Sequence, residues 1–146
     1  MVAVRSVLSV LCLAVPLAVA APGARACETA LLLAIDVSNS VDPAEYRLQT
    51  DGTADALLDP EVREALLRAP VMLSVMQWSG EADQEMSIPW TEIRTDADIV
   101  AFSQATRGMR RAFIQSNTAP GDAILRALRE MGRVVYCNRR IIDISG

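Results

Sequence analysis

The chain lacks histidine and lysine altogether, so all 14 of its basic residues are arginines. Without histidine there is no imidazole for acid-base catalysis, no Ser-His-Asp triad and no histidine ligand for a metal. The arginines include the pairs Arg110-Arg111 and Arg139-Arg140, which are too short to form a basic stripe, and we interpret them as solvated residues at a helix end and a strand start.

Long apolar stretches are also scarce, and the main one lies near the N-terminus. An apolar run over Val7–Ala21 follows Arg5 and is interrupted twice. This pattern predicts a signal peptide over residues 1–26, with cleavage after Ala20 or Ala26, and therefore a periplasmic or secreted protein. The run is too short and too interrupted for a membrane span, which needs about 20 apolar residues. A retained N-terminal anchor is the alternative.

The charge balance argues against a nucleic-acid partner. The formal net charge is −4, and removal of residues 1–26, which contain two arginines and no acidic residue, makes it −6. Residues 27–146 have the length of one domain.

Cysteine is rare as well, with three in the chain. Cys12 belongs to the predicted signal peptide, which leaves Cys27 and Cys137 as an even pair in an exported protein. A disulfide is the leading interpretation. The alternative is a lipidated Cys27, but the arginine at position 25 makes a poor lipidation signal.

Apolar periodicity and capping residues predict alternating strands and helices after position 27. A strand ends at Asp36, a helix runs from Pro43 to about Leu58, and a strand covers Val71–Trp78. A helical turn or two is predicted over Glu61–Arg68, and short strands over Met86–Trp90 and Arg140–Ile144. A further helix is capped by Thr95 or Asp96 and carries on one face Ile99, Phe102, Met109 and Phe113. The last predicted helix is amphipathic, ends at Gly132, and contains Ala123, Ile124, Ala127, Leu128 and Met131. This order predicts an α/β fold with an open, mainly parallel sheet, helices on both faces, and a hairpin edge marked by Pro89.

A cluster of oxygen-bearing side chains follows the first strand. The apolar run Leu31–Ile35 leads into Asp36-Val37-Ser38-Asn39-Ser40. In an extended backbone, side chains at every second position point the same way, so Asp36, Ser38 and Ser40 come together. Oxygen ligands of this kind suit a hard metal ion. Simple turn and capping chemistry is the alternative interpretation.

This segment resembles the start of the metal-ion-dependent adhesion site of von Willebrand factor A-type (vWA) domains, which is Asp-x-Ser-x-Ser. Thr118, in a loop before a helix, resembles the threonine of that site, and Asp143, in Ile-Ile-Asp-Ile-Ser-Gly, resembles its second aspartate. The resemblance implies Mg²⁺ or Mn²⁺ bound directly by Ser38, Ser40 and Thr118, with Asp36 and Asp143 acting through water. For Thr118, a loop or capping role is an equal alternative.

The resemblance covers residues 27–146 and is strongest to a bacterial exported vWA-like family of uncharacterised role. It implies a vWA or Rossmann-like fold of six strands, of which the chain would hold the N-terminal two-thirds. We therefore expect a domain that is incomplete at its C-terminus.

The resemblance implies a divalent-cation-dependent, adhesion-type module that binds an acidic side chain of a partner protein through the metal, and no enzyme. One alternative is a magnesium-dependent hydrolase of phosphate esters with Asp36 as the nucleophile. Such enzymes usually carry a second acid two residues later, where this chain has Ser38. The other alternative is a truncated remnant without autonomous function.

Overall fold

The computed structural model describes residues 27–114 and 117–145, so the predicted signal peptide lies outside the described residues. The strands are β1 (Thr29–Asp36), β2 (Val71–Trp78), β3 (Gln84–Ile93) and β4 (Arg139–Ser145). The helices are α1 (Pro43–Leu58), α2 (Pro60–Leu67), α3 (Asp96–Gly108) and α4 (Pro120–Met131), and a short 3-10 turn covers Gly132–Val134.

The four strands form one open, mixed sheet in the order β3-β2-β1-β4. Strand β1 runs parallel to both β2 and β4, and β3 is antiparallel to β2. The α/β prediction is confirmed, and the arrangement is compatible with a vWA or Rossmann-like fold. Pro89 lies in the edge strand β3, which pairs only with β2 among the described strands. Its missing backbone N–H therefore interrupts no hydrogen bonds to a second neighbouring strand.

Alternating side chains of the central strands divide the core into two layers. Ile35 packs with α1 and α3 on one face of the sheet, whereas Ala34 packs with α4 on the other. The first layer includes Tyr46, Leu57, Leu73, Val75, Ile99 and Phe102, and the second includes Ala30, Leu32, Met76, Ala123, Ala127 and Met131. Helices therefore flank both faces, as the sequence predicted.

Strand β3 is longer than its sequence indicated. The predicted Met86–Trp90 becomes Gln84–Ile93, paired from Trp78↔Gln84 to Val71↔Ile93. The additional residues at both ends of β3 are mostly polar, so they lack the apolar alternation that predicts a strand. They are extended because they pair with the two ends of β2.

Helix α3 is shorter than predicted. Thr95 is its N-cap as expected, but the helix ends at Gly108, so Met109 and Phe113 do not continue a helical stripe. Both side chains still pack against the same core as Ile99 and Phe102. The segment after Gly108 therefore fills the core without being helical.

Helix α4 buries less of its apolar surface than the predicted stripe suggested. Ala123, Ala127 and Met131 are buried, whereas Ile124 is 43% exposed and Leu128 is 55% exposed. The helix thus packs against the sheet through two alanines and Met131. In the described part of the chain, no helix is long and apolar enough to cross a membrane.

Cys27 and Cys137 form the predicted disulfide, which joins the chain just before β1 to the chain just before β4. Their Cα atoms are 4.4 Å apart, and the backbone N–H of Asn138 donates to the Cys27 carbonyl at 3.0 Å. Because β1 and β4 are parallel neighbours, the bond lies at the end of the sheet opposite to Asp36.

Candidate functional site

The carboxyl end of β1 carries a buried carboxylate and a tight turn. Asp36 is 2% exposed, and its Oδ1 accepts the backbone N–H of Ser38 at 2.7 Å. The N–H of Val41 then donates to the Ser38 carbonyl at 3.0 Å, which closes the turn. Asp42 caps α1 through a capping box with Glu45, so the Ser38 and Ser40 side chains are not needed as caps.

Three hydroxyl groups meet above this turn. Thr118 Oγ1 donates to Ser38 Oγ at 2.8 Å, and Ser38 Oγ lies 2.9 Å from Ser40 Oγ. Ser38 is fully buried, while Ser40 and Thr118 are exposed. The structure therefore brings Asp36, Ser38, Ser40 and Thr118 to one strand end, with two of the hydroxyls open to solvent.

Thr118 is held in place by Ser79, the residue after β2. Ser79 Oγ donates to the Asn117 carbonyl at 3.0 Å, and the N–H of Ala119 donates to the Ser79 carbonyl at 2.8 Å. Ala119 is the N-cap of α4 and makes no side-chain capping bond. Thr118 thus contacts the serine cluster and does not cap the helix, so the capping part of its alternative, a loop or capping role, is wrong.

Arg111 contacts the same turn from the α3–α4 connection. Its Nη2 donates to the carbonyls of Val37 at 2.9 Å and Ser38 at 2.6 Å, and its Nε donates to Val37 at 3.2 Å. The sequence interpretation of Arg111 as a solvated helix-end residue was wrong. No local pattern revealed this contact, because its partners lie more than 70 residues away in the chain.

Gln77 fixes the backbone on either side of Arg111. Its side chain is fully buried, its Nε2 donates to the Arg110 carbonyl at 2.9 Å, and its Oε1 accepts the N–H of Ala112 at 3.0 Å. Nε2 also donates to Ser87 Oγ at 2.8 Å. A buried polar residue near the end of the inner strand β2 therefore holds the segment that carries Arg111.

Asp143 is not brought to the cluster. It pairs with Leu33 in the β1–β4 register, three residues before the level of Asp36. Three residues correspond to roughly 10 Å along a strand, and alternation turns Asp143 toward the other face of the sheet. The expectation that the two aspartates end neighbouring strands side by side is therefore wrong.

The arrangement suits a cation on chemical grounds. Asp36 takes part in none of the ion pairs formed by the described residues, although a buried charge is costly without a partner. Four of the five predicted ligand positions supply oxygen atoms within one cluster, which fits a hard divalent ion. Within residues 27–114 and 117–145, no three Asp, Glu, His or Cys side chains lie close enough together to hold a metal. The donor set of this cluster consists instead of three hydroxyl groups and one carboxylate.

A groove of about 320 Å³ opens beside the cluster. Asp36 and Thr118 line it together with Trp78, Ile124 and Ile144. It joins the carboxylate to partly apolar surface of α4 and β4 and provides access to the site from solvent.

Two solved structures share this fold with the chain. One is the conserved hypothetical protein BatB from Bacteroides thetaiotaomicron, with a TM-score of 0.53 and 18% identity over 78% of this chain and 52% of BatB. The other contains three N-terminal domains of the type V pili tip protein Mfa5 from Porphyromonas gingivalis, with a TM-score of 0.53 and 13% identity over 80% of this chain and 19% of Mfa5. The chain thus spans about half the length of the first neighbour and a fifth of the second.

No curated protein sequence matches the chain. The family model described as "Protein of unknown function (DUF1194)" matches residues 26–146, which include the whole described fold. The chain belongs to this family.

Proposed function

We propose that the protein is a divalent-cation-dependent binding module that captures an acidic group of a partner protein. In this proposal Mg²⁺ or Mn²⁺ is held by Ser38, Ser40 and Thr118, with Asp36 supplying charge beneath them. The sequence resemblance to vWA domains with a metal-ion-dependent adhesion site supports the proposal, and so does a fold compatible with theirs. Asp143 is left out of the ligand set because of its position in β4.

One observation carries the proposal: Asp36 is a buried carboxylate that forms no ion pair with any described residue, and it hydrogen-bonds the backbone of Ser38, whose hydroxyl is the centre of the three clustered hydroxyls. A bound cation would offset the cost of burying that charge. Because the neighbouring ligands are neutral, the ion would remain electrophilic enough to accept a further carboxylate. Small divalent cations that prefer oxygen ligands and keep open positions match this role.

We also propose that the protein works outside the cytoplasm, in the periplasm or after secretion. The Cys27–Cys137 disulfide supports this location, because disulfides persist in oxidising compartments. The N-terminal pattern of a signal peptide supports it independently.

The first experiment is a calorimetric titration of the protein with Mg²⁺ and Mn²⁺. We expect saturable binding by the wild type and its loss in Asp36→Asn, which keeps the shape of the side chain but removes its charge. Asp143→Asn is the matched control and should bind as the wild type does. Absence of binding by folded wild-type protein, or equal binding by Asp36→Asn, would overturn the cation site.

A second measurement tests capture of an acidic group. We expect the Mg²⁺-loaded protein to bind a glutamate-containing peptide, and to lose this binding with the glutamine analogue or with excess chelator. Turnover of a phosphate ester by the Mg²⁺-loaded protein would instead support a hydrolase and contradict a pure binding module.

A further inference from the structure

We propose that Arg111 is a positioning residue for the cation site. Its guanidinium fixes the backbone of the turn that presents Ser38 and Ser40, so that the hydroxyl cluster is formed before the ion arrives. This inference rests on the proposed function and assigns to that site a residue outside its ligand set.

The first support is the geometry of the contact. Arg111 donates to two consecutive carbonyls, those of Val37 and Ser38, at 2.6–3.2 Å. A planar fork that holds two adjacent carbonyls fixes the orientation of the two peptide units on either side of the Ser38 Cα. That Cα carries the Ser38 side chain, whose Oγ is the centre of the hydroxyl cluster.

The second support is that Arg111 is itself held rigidly. Gln77 is fully buried in β2 and hydrogen-bonds the backbone of Arg110 and Ala112, the residues on both sides of Arg111. Ser79, two residues later, holds Asn117 and Ala119 on both sides of Thr118. The end of β2 therefore places two side chains of the α3–α4 connection onto one turn.

A positive charge near a cation site also acts electrostatically, and the two effects have opposite signs. If Arg111 acted only through its charge, removing that charge would strengthen cation binding. If it acts by positioning, losing the fork weakens binding even when the charge stays. Replacement of Arg111 by lysine distinguishes the electrostatic effect from the positioning effect, because lysine keeps the positive charge but lacks the planar, forked guanidinium.

The test is Mg²⁺ titration by calorimetry of the wild type, Arg111→Lys and Arg111→Gln, with thermal unfolding of each variant. We expect both variants to bind Mg²⁺ at least about tenfold more weakly, as is typical when residues that orient metal ligands are replaced. Arg110→Lys is the matched control and should leave the affinity unchanged, because its side chain is exposed and, among the described residues, the Arg110 contact that involves the site is made by its backbone carbonyl.

Wild-type affinity in Arg111→Lys would overturn the inference and leave the proposed function intact, as would tighter binding by Arg111→Gln. Failure of the wild type to bind Mg²⁺ would overturn the proposed function and this inference with it. If the Arg111 variants do not fold, NMR of the wild-type protein still tests the inference. The Arg111 Nε–H should exchange slowly with solvent and shift in the NMR spectrum on Mg²⁺ addition, and rapid exchange without a shift would refute the assignment.

Discussion

At the scale of single residues, hydroxyl groups outnumber carboxylates in the candidate site, and we expect the hydroxyls to contribute to cation binding. Thr118 tests this most directly because its Oγ1 reaches Ser38 Oγ across 80 residues of sequence. We expect Thr118→Val, which removes the hydroxyl at nearly constant shape, to weaken Mg²⁺ binding by roughly tenfold or more, by analogy with other metal-site substitutions. Calorimetric titration checks the result.

Thr118→Ser is the control for that substitution, since it keeps the hydroxyl and should retain most of the affinity. Both variants should unfold near the wild-type temperature, because the side chain is exposed. Equal Mg²⁺ affinity in Thr118→Val and wild type would remove Thr118 from the site.

The spacing of the cysteines and aspartates in the sequence bears on the position of Asp143 relative to Asp36. Cys27 precedes Asp36 by nine residues, whereas Cys137 precedes Asp143 by only six. Because the disulfide pairs positions 110 apart, and the strand register has the same offset, Asp143 falls three residues short of Asp36. The cysteine spacing therefore agreed with this register and not with one that places the two aspartates side by side. The Arg111 contact had no such signal, since nothing in its own segment specifies carbonyl partners in a distant turn.

At the scale of elements, β2 organises the α3–α4 connection through a buried amide. We expect Gln77→Leu to lower the free energy of unfolding by about 1–3 kcal/mol, because the Arg110 carbonyl and the Ala112 N–H would lose their partner. Urea unfolding followed by circular dichroism measures the change. The exposed Gln104→Leu on α3 is the control, expected within about 0.5 kcal/mol of wild type.

If Gln77→Leu matched the wild type in both stability and Mg²⁺ affinity, the amide would not be what holds the 110–112 segment. A leucine that recovers stability through apolar packing can be recognised by its effect on Mg²⁺ binding. The connection would then be loosened, so binding should weaken even though unfolding is unchanged.

The start of α3 makes the stability of the protein depend on pH. Hydrogen bonds from the Arg94 backbone N–H, and then from the side chain and backbone of Thr95, hold the pKa of Asp98 below its usual range. A carboxyl with a lowered pKa stabilises the fold above its unfolded-state pKa, near 3.9, and that stabilisation is lost as the pH falls through the folded value. We expect Asp98→Ala to melt below the wild type at pH 6, with the difference shrinking below about pH 4. A difference that stays constant down to pH 2.5 would contradict this.

The capped starts of α1 and α3 were predicted correctly, whereas the end of α3 and the extent of β3 were not, for a physical reason. The capping residues Asp42 and Thr95 act within one turn of the chain, so their signals are local. The end of α3 at Gly108 and the extension of β3 to Ile93 depend on contacts with other elements. Local patterns therefore located the elements, and tertiary pairing determined their lengths.

At the scale of the whole molecule, the disulfide and the candidate site lie at opposite ends of the sheet. The Cys27–Cys137 disulfide lies before the N-terminal ends of β1 and β4, and the hydroxyl cluster lies beyond the C-terminal end of β1. Nine residues of near-extended chain separate Cys27 from Asp36, which corresponds to roughly 30 Å. The two features should therefore act independently.

The Cys27→Ala, Cys137→Ala double variant tests this independence. The bond closes a loop with a sequence separation of 110 residues, so its loss should lower the free energy of unfolding by about 2–5 kcal/mol, because the unfolded chain gains freedom. In conditions where the variant remains folded, Mg²⁺ affinity should match the wild type, because the turn at Ser38 is held by Arg111 and Thr118 and not by the disulfide end. Urea unfolding and calorimetry on the same sample separate the two quantities. Weaker Mg²⁺ binding by the folded double variant would mean that the register of β1 and β4 transmits a change along the sheet to the site.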